Sequence, residues 1–214
     1  MIKFEEQVQK RIEGFYRESF SKEAKKMSDP DKILDYCLSK AWADATQRER
    51  FKGQQSKIIE NKQVIIDKLK KEIKAGIRDK SFSPDYDTWH GNMCNNREYK
   101  MTYGIWQKFI NMTFKYMCCS NKFPEMDFLW SQCHCPIDSI IAQRADTLCI
   151  VCGLERSEMM KSIAENGKKN WNNMDEKKQY DEVRNKIREI TEKCIINNSA
   201  TEHPTELEFD FLLW

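Results

Sequence analysis

The sequence predicts a mostly α-helical fold, because apolar residues recur at helical spacing over long segments and strand-like alternation is scarce. Residues 28–51 begin with the helix start signal Ser-Asp-Pro. The apolar residues that follow are four apart and share one helix face: Ile33, Cys37, Ala41 and Ala45. We therefore expect one helical unit over residues 1–214, arranged as two lobes around a cleft.

Two further segments show the same amphipathic pattern. Residues 56–77 place these apolar side chains on one face: Ile58, Ile65, Leu69, Ile73 and Ile77. Residues 172–194 do so with Tyr180, Val183, Ile187, Ile190 and Cys194, after a predicted cap at Asn173. Between these helices, residues 79–96 are rich in Pro, Gly, Asp, Asn and Ser, which predicts the longest loop and the boundary between the lobes. The apolar tail, residues 206–214, is expected to pack onto the core.

The helix predicted over residues 102–119 has apolar residues around most of its circumference, so we expect it to be central. Its polar residues form a narrow stripe of Gln107, Lys108, Asn111 and Lys115. A buried ammonium group needs a partner, which predicts that this stripe lines a cleft. The alternative is that both lysines extend to solvent along one exposed edge of the helix.

Composition limits the partners and the location of the protein. The chain has 36 Lys and Arg residues against 34 Asp and Glu, a net charge of +2, so nucleic-acid binding would require a local basic patch. No apolar stretch is long enough for a membrane span, and charges interrupt the first 20 residues. We expect a cytoplasmic protein without a membrane partner.

Nine cysteines are present, six of them within residues 118–152. Only Cys149 and Cys152 have the spacing of a zinc knuckle, and they lie in an apolar run. We interpret the cysteines as buried free thiols that fill the core, and expect no metal and no cofactor. A metal-stabilised interaction protein is the alternative interpretation of this window.

The segment "HCPIDSIIAQRA", residues 134–145, places Asp138 directly before a predicted helix, as an N-cap. Together with the glycine-led lysine helix "YGIWQKFINMTFKY" upstream, it resembles the helix-hairpin-helix DNA glycosylase superfamily over residues 102–146. The 30 residues between Lys108 and Asp138 are similar to the archaeal 8-oxoguanine glycosylase branch. The chain departs from the superfamily in having a single glycine, Gly104, instead of a Gly-x-Gly turn, and no endonuclease III-type cysteine cluster follows.

The resemblance implies an enzyme that cleaves the N-glycosidic bond of a damaged or modified base flipped out of DNA, in repair or in defence against phage DNA. Asp138 would stabilise the charge on the sugar, and Lys108 or a water molecule would be the nucleophile. The expected substrate-binding residues are Trp106, Gln107, Asn111, Lys115 and His134. The alternative function is a non-enzymatic helical binding module for a nucleic acid, a nucleotide or a protein, in which Lys108 or Lys115 would point to open surface.

Overall fold

The computed structural model describes residues 4–46, 58, 60–79, 82–96, 98–165, 171–196 and 205–213. Within these ranges every regular element is helical and no strand occurs, which confirms the mostly α fold class. No helix in the described part of the chain combines the length and apolar character that crossing a membrane requires. The division into two lobes stays a prediction.

The described ranges contain ten α-helices: α1 (Phe4–Ser19), α2 (Lys22–Lys25), α3 (Pro30–Thr46), α4 (Lys62–Arg78), α5 (Phe82–Cys94), α6 (Tyr103–Ser120), α7 (Ser139–Val151), α8 (Glu158–Glu165), α9 (Lys177–Ile196) and α10 (Glu206–Leu213). Two short 3₁₀ helices, Pro124–Leu129 and Trp171–Asn173, lie in the connections. The apolar faces predicted for α3 and α4 are confirmed, although Ile77 is only half-buried.

Helix α6 lies at the centre of the fold and is buried around nearly its whole circumference, as its sequence predicted. Helix α3 packs along it, and α1, α5 and the 3₁₀ helix Trp171–Asn173 contact it from other sides. The helix begins at a Thr102 cap, whose side chain accepts a hydrogen bond from the Ile105 N–H. It ends at Asn121, which adopts the left-handed conformation.

The prediction of a loop over residues 79–96 is wrong, because residues 82–94 form α5. Phe82, Tyr86, His90 and Cys94 follow at intervals of four, and all are buried. The rings of Phe82 and Tyr86 pack against Phe114 of α6, so tertiary packing outweighs the weak helix propensity of this polar segment. The expected lobe boundary therefore falls on a helix.

Two smaller predictions concern the C-terminal third of the chain. Asn173 does not cap α9, because this helix begins four residues later. Just before the helix, the N–H groups of Asp175 and Glu176 donate hydrogen bonds to the Gln179 Oε1. The packing of the tail is confirmed, since α10 buries its apolar residues Leu207, Phe209, Phe211 and Leu213. Cys194 and Trp214 have side chains that lie outside the described residues.

Among the described side chains seven cysteines are free thiols, and all except half-buried Cys118 are buried, as the sequence predicted: Cys37, Cys94, Cys118, Cys119, Cys133, Cys135 and Cys149. Cys152 differs from this expectation, because it is disulfide-bonded. Across the described residues, no three or more His, Cys, Asp or Glu side chains form a group that could hold a metal ion.

Candidate functional site

Asp138 is the N-cap of α7 and the ion-pair partner of Lys108 at the same time. Its Oδ1 accepts hydrogen bonds from the N–H groups of Ile140 and Ile141, at 2.9 and 3.0 Å. Its Oδ2 lies 2.9 Å from Lys108 Nζ, which also stands 4.7 Å from the centre of the Trp171 ring. The carboxylate thus divides its two oxygens between the helix and the lysine.

Electrostatics keep Asp138 ionised. Burial acts to raise the pKa of its carboxyl group, but the Lys108 ammonium and the two backbone N–H groups outweigh burial and hold the pKa below its ordinary value. Cap and ion pair therefore both favour the charged form at neutral pH.

A second ion pair, between Lys115 and Asp210, lies two helical turns along α6 from Lys108. Both residues are only 1% exposed. The Lys115 ammonium lies between the rings of Phe15 and Phe211, 4.4 and 4.5 Å from their centres. Burial raises the pKa of Asp210 in spite of this lysine. The alternative that Lys108 and Lys115 extend to solvent is wrong, because each is buried against a carboxylate.

Both ion pairs line one cavity of about 260 Å³. Its remaining wall contains a third carboxylate, Asp44 of α3, which accepts a hydrogen bond from the Tyr116 hydroxyl at 2.5 Å. Phe15 contributes an aromatic ring, and Ile140 and Ile141 form part of the rim at the start of α7. The cavity therefore offers charged, hydrogen-bonding and apolar groups to a small ligand.

Gln107 and Asn111 face the loop before α7 instead of lining this cavity. The Gln107 carboxamide bonds both main-chain groups of Ile137: its Nε2 donates to the carbonyl at 2.8 Å, and its Oε1 accepts from the N–H at 3.2 Å. Asn111 Nδ2 donates to Gln107 Oε1 at 3.2 Å and to the Tyr180 hydroxyl at 3.1 Å. These amides join α6 to the loop and to α9.

His134 lies in the same network behind the loop. Its Nε2 is 2.6 Å from Asp87 Oδ1 and its Nδ1 is 3.0 Å from the Tyr180 hydroxyl. Burial lowers the pKa of His134, and it lowers that of His90, next to Asn111, well below the ordinary value. Both rings are therefore neutral at pH 7.

Of the predicted site residues, the structure brings Asp138, Lys108 and Lys115 to the cavity. Gln107, Asn111 and His134 lie in the network behind it, and their proposed contact with a substrate stays a prediction. Trp106 is fully buried, and its Nε1 donates to the Asn96 carbonyl at 2.9 Å. Sequence reasoning missed Asp210, although an aspartate between two phenylalanines in an apolar tail is a signal. Asp44 carried no such signal.

Gly104 is required by close packing. A Cβ atom at this position would lie 1.8 Å from the Trp171 carbonyl oxygen. The Gly104 N–H donates to the Met174 carbonyl at 2.9 Å, so this amide is occupied within the protein.

The chain matches no known family, no curated protein and no solved structure.

Proposed function

We propose that the protein is a DNA glycosylase-like enzyme that cleaves the N-glycosidic bond of a damaged or modified base held in the cavity. The observation that carries this proposal is the 2.9 Å contact of Lys108 with Asp138 at the wall of the cavity. A nucleophile and an ionised carboxylate at one sugar carbon are what such cleavage requires.

In the proposed chemistry Lys108 is the nucleophile, and Asp138 transfers the proton from Lys108 to the base. Asp138 takes the proton of the Lys108 ammonium, and the free amine attacks the sugar carbon C1′. The bond from C1′ to the base breaks, its electron pair leaves with the base, and the proton passes from Asp138 to the base. The C1′–O4′ bond of the sugar then opens as a proton moves from the Lys108 nitrogen to O4′, which leaves an imine between Lys108 and C1′ that borohydride can reduce. If water attacks instead, Asp138 first stabilises the positive charge that develops on the sugar. It then takes a proton from the attacking water and passes it to the base.

The dimensions and lining of the cavity support a base as the ligand. Its volume of about 260 Å³ is below the roughly 300–1,000 Å³ of drug-sized pockets, which suits one flipped base. Phe15 and Met112 can make apolar contacts with the base, and Lys115, Asp210 and Asp44 can pair with its polar edge. A binding module would be expected to direct Lys108 or Lys115 to open surface, so the buried ion pairs favour the enzyme.

Borohydride trapping tests the proposal. Duplex and single-stranded oligonucleotides that contain damaged or modified bases are incubated with the protein and reduced. We expect a covalent protein–DNA adduct with at least one oligonucleotide, and none with Lys108→Gln. Base release without an adduct assigns the attack to water. If no oligonucleotide loses a base and none is bound at moderate salt, the function is not glycosidic cleavage.

A further inference from the structure

Gln107 stands in an unusual relation to the loop before Asp138. One side chain bonds both the N–H and the carbonyl of Ile137, the residue directly before Asp138. Residues in neighbouring β-strands exchange such a pair of hydrogen bonds, but here the side-chain carboxamide of Gln107 takes the place of the second strand. The Ile137 main chain cannot shift or rotate without losing both hydrogen bonds.

The orientation of the Gln107 amide is fixed by a directed chain of hydrogen bonds. The Asp87 carboxylate can only accept, because a hydrogen bond from His134 holds its pKa well below the ordinary value. The His134 Nε2 must therefore carry the hydrogen, and its Nδ1 must accept from the Tyr180 hydroxyl. The Tyr180 oxygen in turn accepts from Asn111 Nδ2.

This series of hydrogen bonds ends at the Gln107 carboxamide. With its Nδ2 as donor, Asn111 presents its Oδ1 to His90 Nε2, at 3.0 Å. The same Nδ2 donates to Gln107 Oε1, which leaves Gln107 Nε2 to donate to the Ile137 carbonyl. Asn111 Nδ2 also lies 3.3 Å from the Cys135 carbonyl in the same loop. The donors of the network thus meet acceptors in an arrangement that matches the Ile137 main chain.

We propose that Gln107 is a positioning residue, which fixes the Ile137 main chain so that Asp138 directs one oxygen to the α7 amides and the other to Lys108. The role rests on the proposed function, in which Asp138 is catalytic. An apolar residue at position 107 would let the loop shift. The Asp138 carboxylate would then approach both the α7 amides and Lys108 less closely.

The test follows the titration of the Asp138 carboxyl carbon by NMR, which needs no substrate. In Gln107→Met we expect the Asp138 pKa to rise by about one pH unit, because the lysine contributes less. The matched control is Thr113→Val, which removes a buried hydrogen bond to the Phe109 carbonyl elsewhere in α6 and should leave the Asp138 titration unchanged. An unchanged Asp138 titration in Gln107→Met overturns the proposal.

A second variant covers the case in which Gln107→Met does not fold. In Gln107→Glu a protonated carboxyl can still donate to the Ile137 carbonyl, whereas the ionised carboxylate cannot. We expect the protection of the Ile140 and Ile141 amides against hydrogen exchange to fall between pH 5 and pH 8 in this variant only. Equal protection at both pH values rejects the role of Gln107. If base release is detected, Gln107→Met should slow it about tenfold without weakening DNA binding.

Discussion

Lys108 Nζ and Asp138 Oδ2 meet at 2.9 Å across two elements that are 30 residues apart in the chain. Their side chains are only 10% and 20% exposed, so each charge depends on the other. The position of Asp138 before α7 explains its own orientation, because the cap occupies the other oxygen. The residue that caps α7 therefore also lines the charged cavity.

A double-mutant cycle measures this pair. Asp138→Asn keeps the cap, because asparagine caps about as well as aspartate, but it removes the counter-charge of Lys108. We expect the free energies of unfolding of Asp138→Asn, Lys108→Met and the double variant to give a coupling of about 2 kcal/mol in urea denaturation. Additive losses would show that the two charges do not interact.

Removing one charge of the Lys115–Asp210 pair should lower the free energy of unfolding more than removing one charge of the Lys108–Asp138 pair. Lys115→Met leaves the Asp210 carboxylate buried without its cation, so we expect a loss of about 3–5 kcal/mol in the free energy of unfolding. The double variant Lys115→Met with Asp210→Leu replaces both charges by apolar groups and should recover most of that loss. A double variant as unstable as the single one would contradict a simple ion pair.

Stability should fall as the pH drops from about 6.5 to about 5, where unfolded histidines take up protons. Burial lowers the pKa values of His90 and His134, so the folded protein does not bind these protons. Their contribution is complete above the unfolded pKa and is lost as the pH falls through the folded pKa. His90→Asn and His134→Asn should each flatten this part of the curve of unfolding free energy against pH. Unchanged slopes would mean that neither ring is held neutral.

Two glycines provide a matched pair of substitutions. Gly104→Ala should destabilise the protein by several kcal/mol, because the new Cβ would meet the Trp171 carbonyl at 1.8 Å. Gly14→Ala, at a half-buried position of α1 where a Cβ would meet no atom within 4 Å beyond the backbone of its own helix, should stabilise it by about 1 kcal/mol. Thermal melting of both variants checks the signs, and a harmless Gly104→Ala would contradict the close packing.

The sequence predicted the helices whose apolar residues repeat cleanly, and it predicted the central place of α6. It did not predict α5, because Pro, Gly, Asp and Asn conceal a buried face that becomes evident only against Phe114. Local propensity reports the backbone preference of a segment, whereas α5 is stabilised by side chains distant in the chain.

The candidate site, too, was predicted from the sequence only in part. The pairing of Lys108 with Asp138 was expected from the sequence resemblance, whereas burial of the polar stripe predicted only that its lysines need partners. Periodicity alone did not separate the polar stripe of α6 into its two faces. Lys108 and Lys115 are seven residues apart and line the cavity. Gln107 and Asn111 are four residues apart and bond the loop and α9 instead.

The most direct test of the catalytic role of Asp138 is single-turnover base release from an oligonucleotide that the unmodified protein cleaves. Asp138→Asn should lower the rate by about 10² or more while DNA affinity is retained. The control is Asp146→Asn, which removes the same charge from α7 at an ion pair with Arg156 away from the cavity and should release the base at the normal rate. Full activity of Asp138→Asn would contradict the account, and Asp138 would then be a helix cap alone.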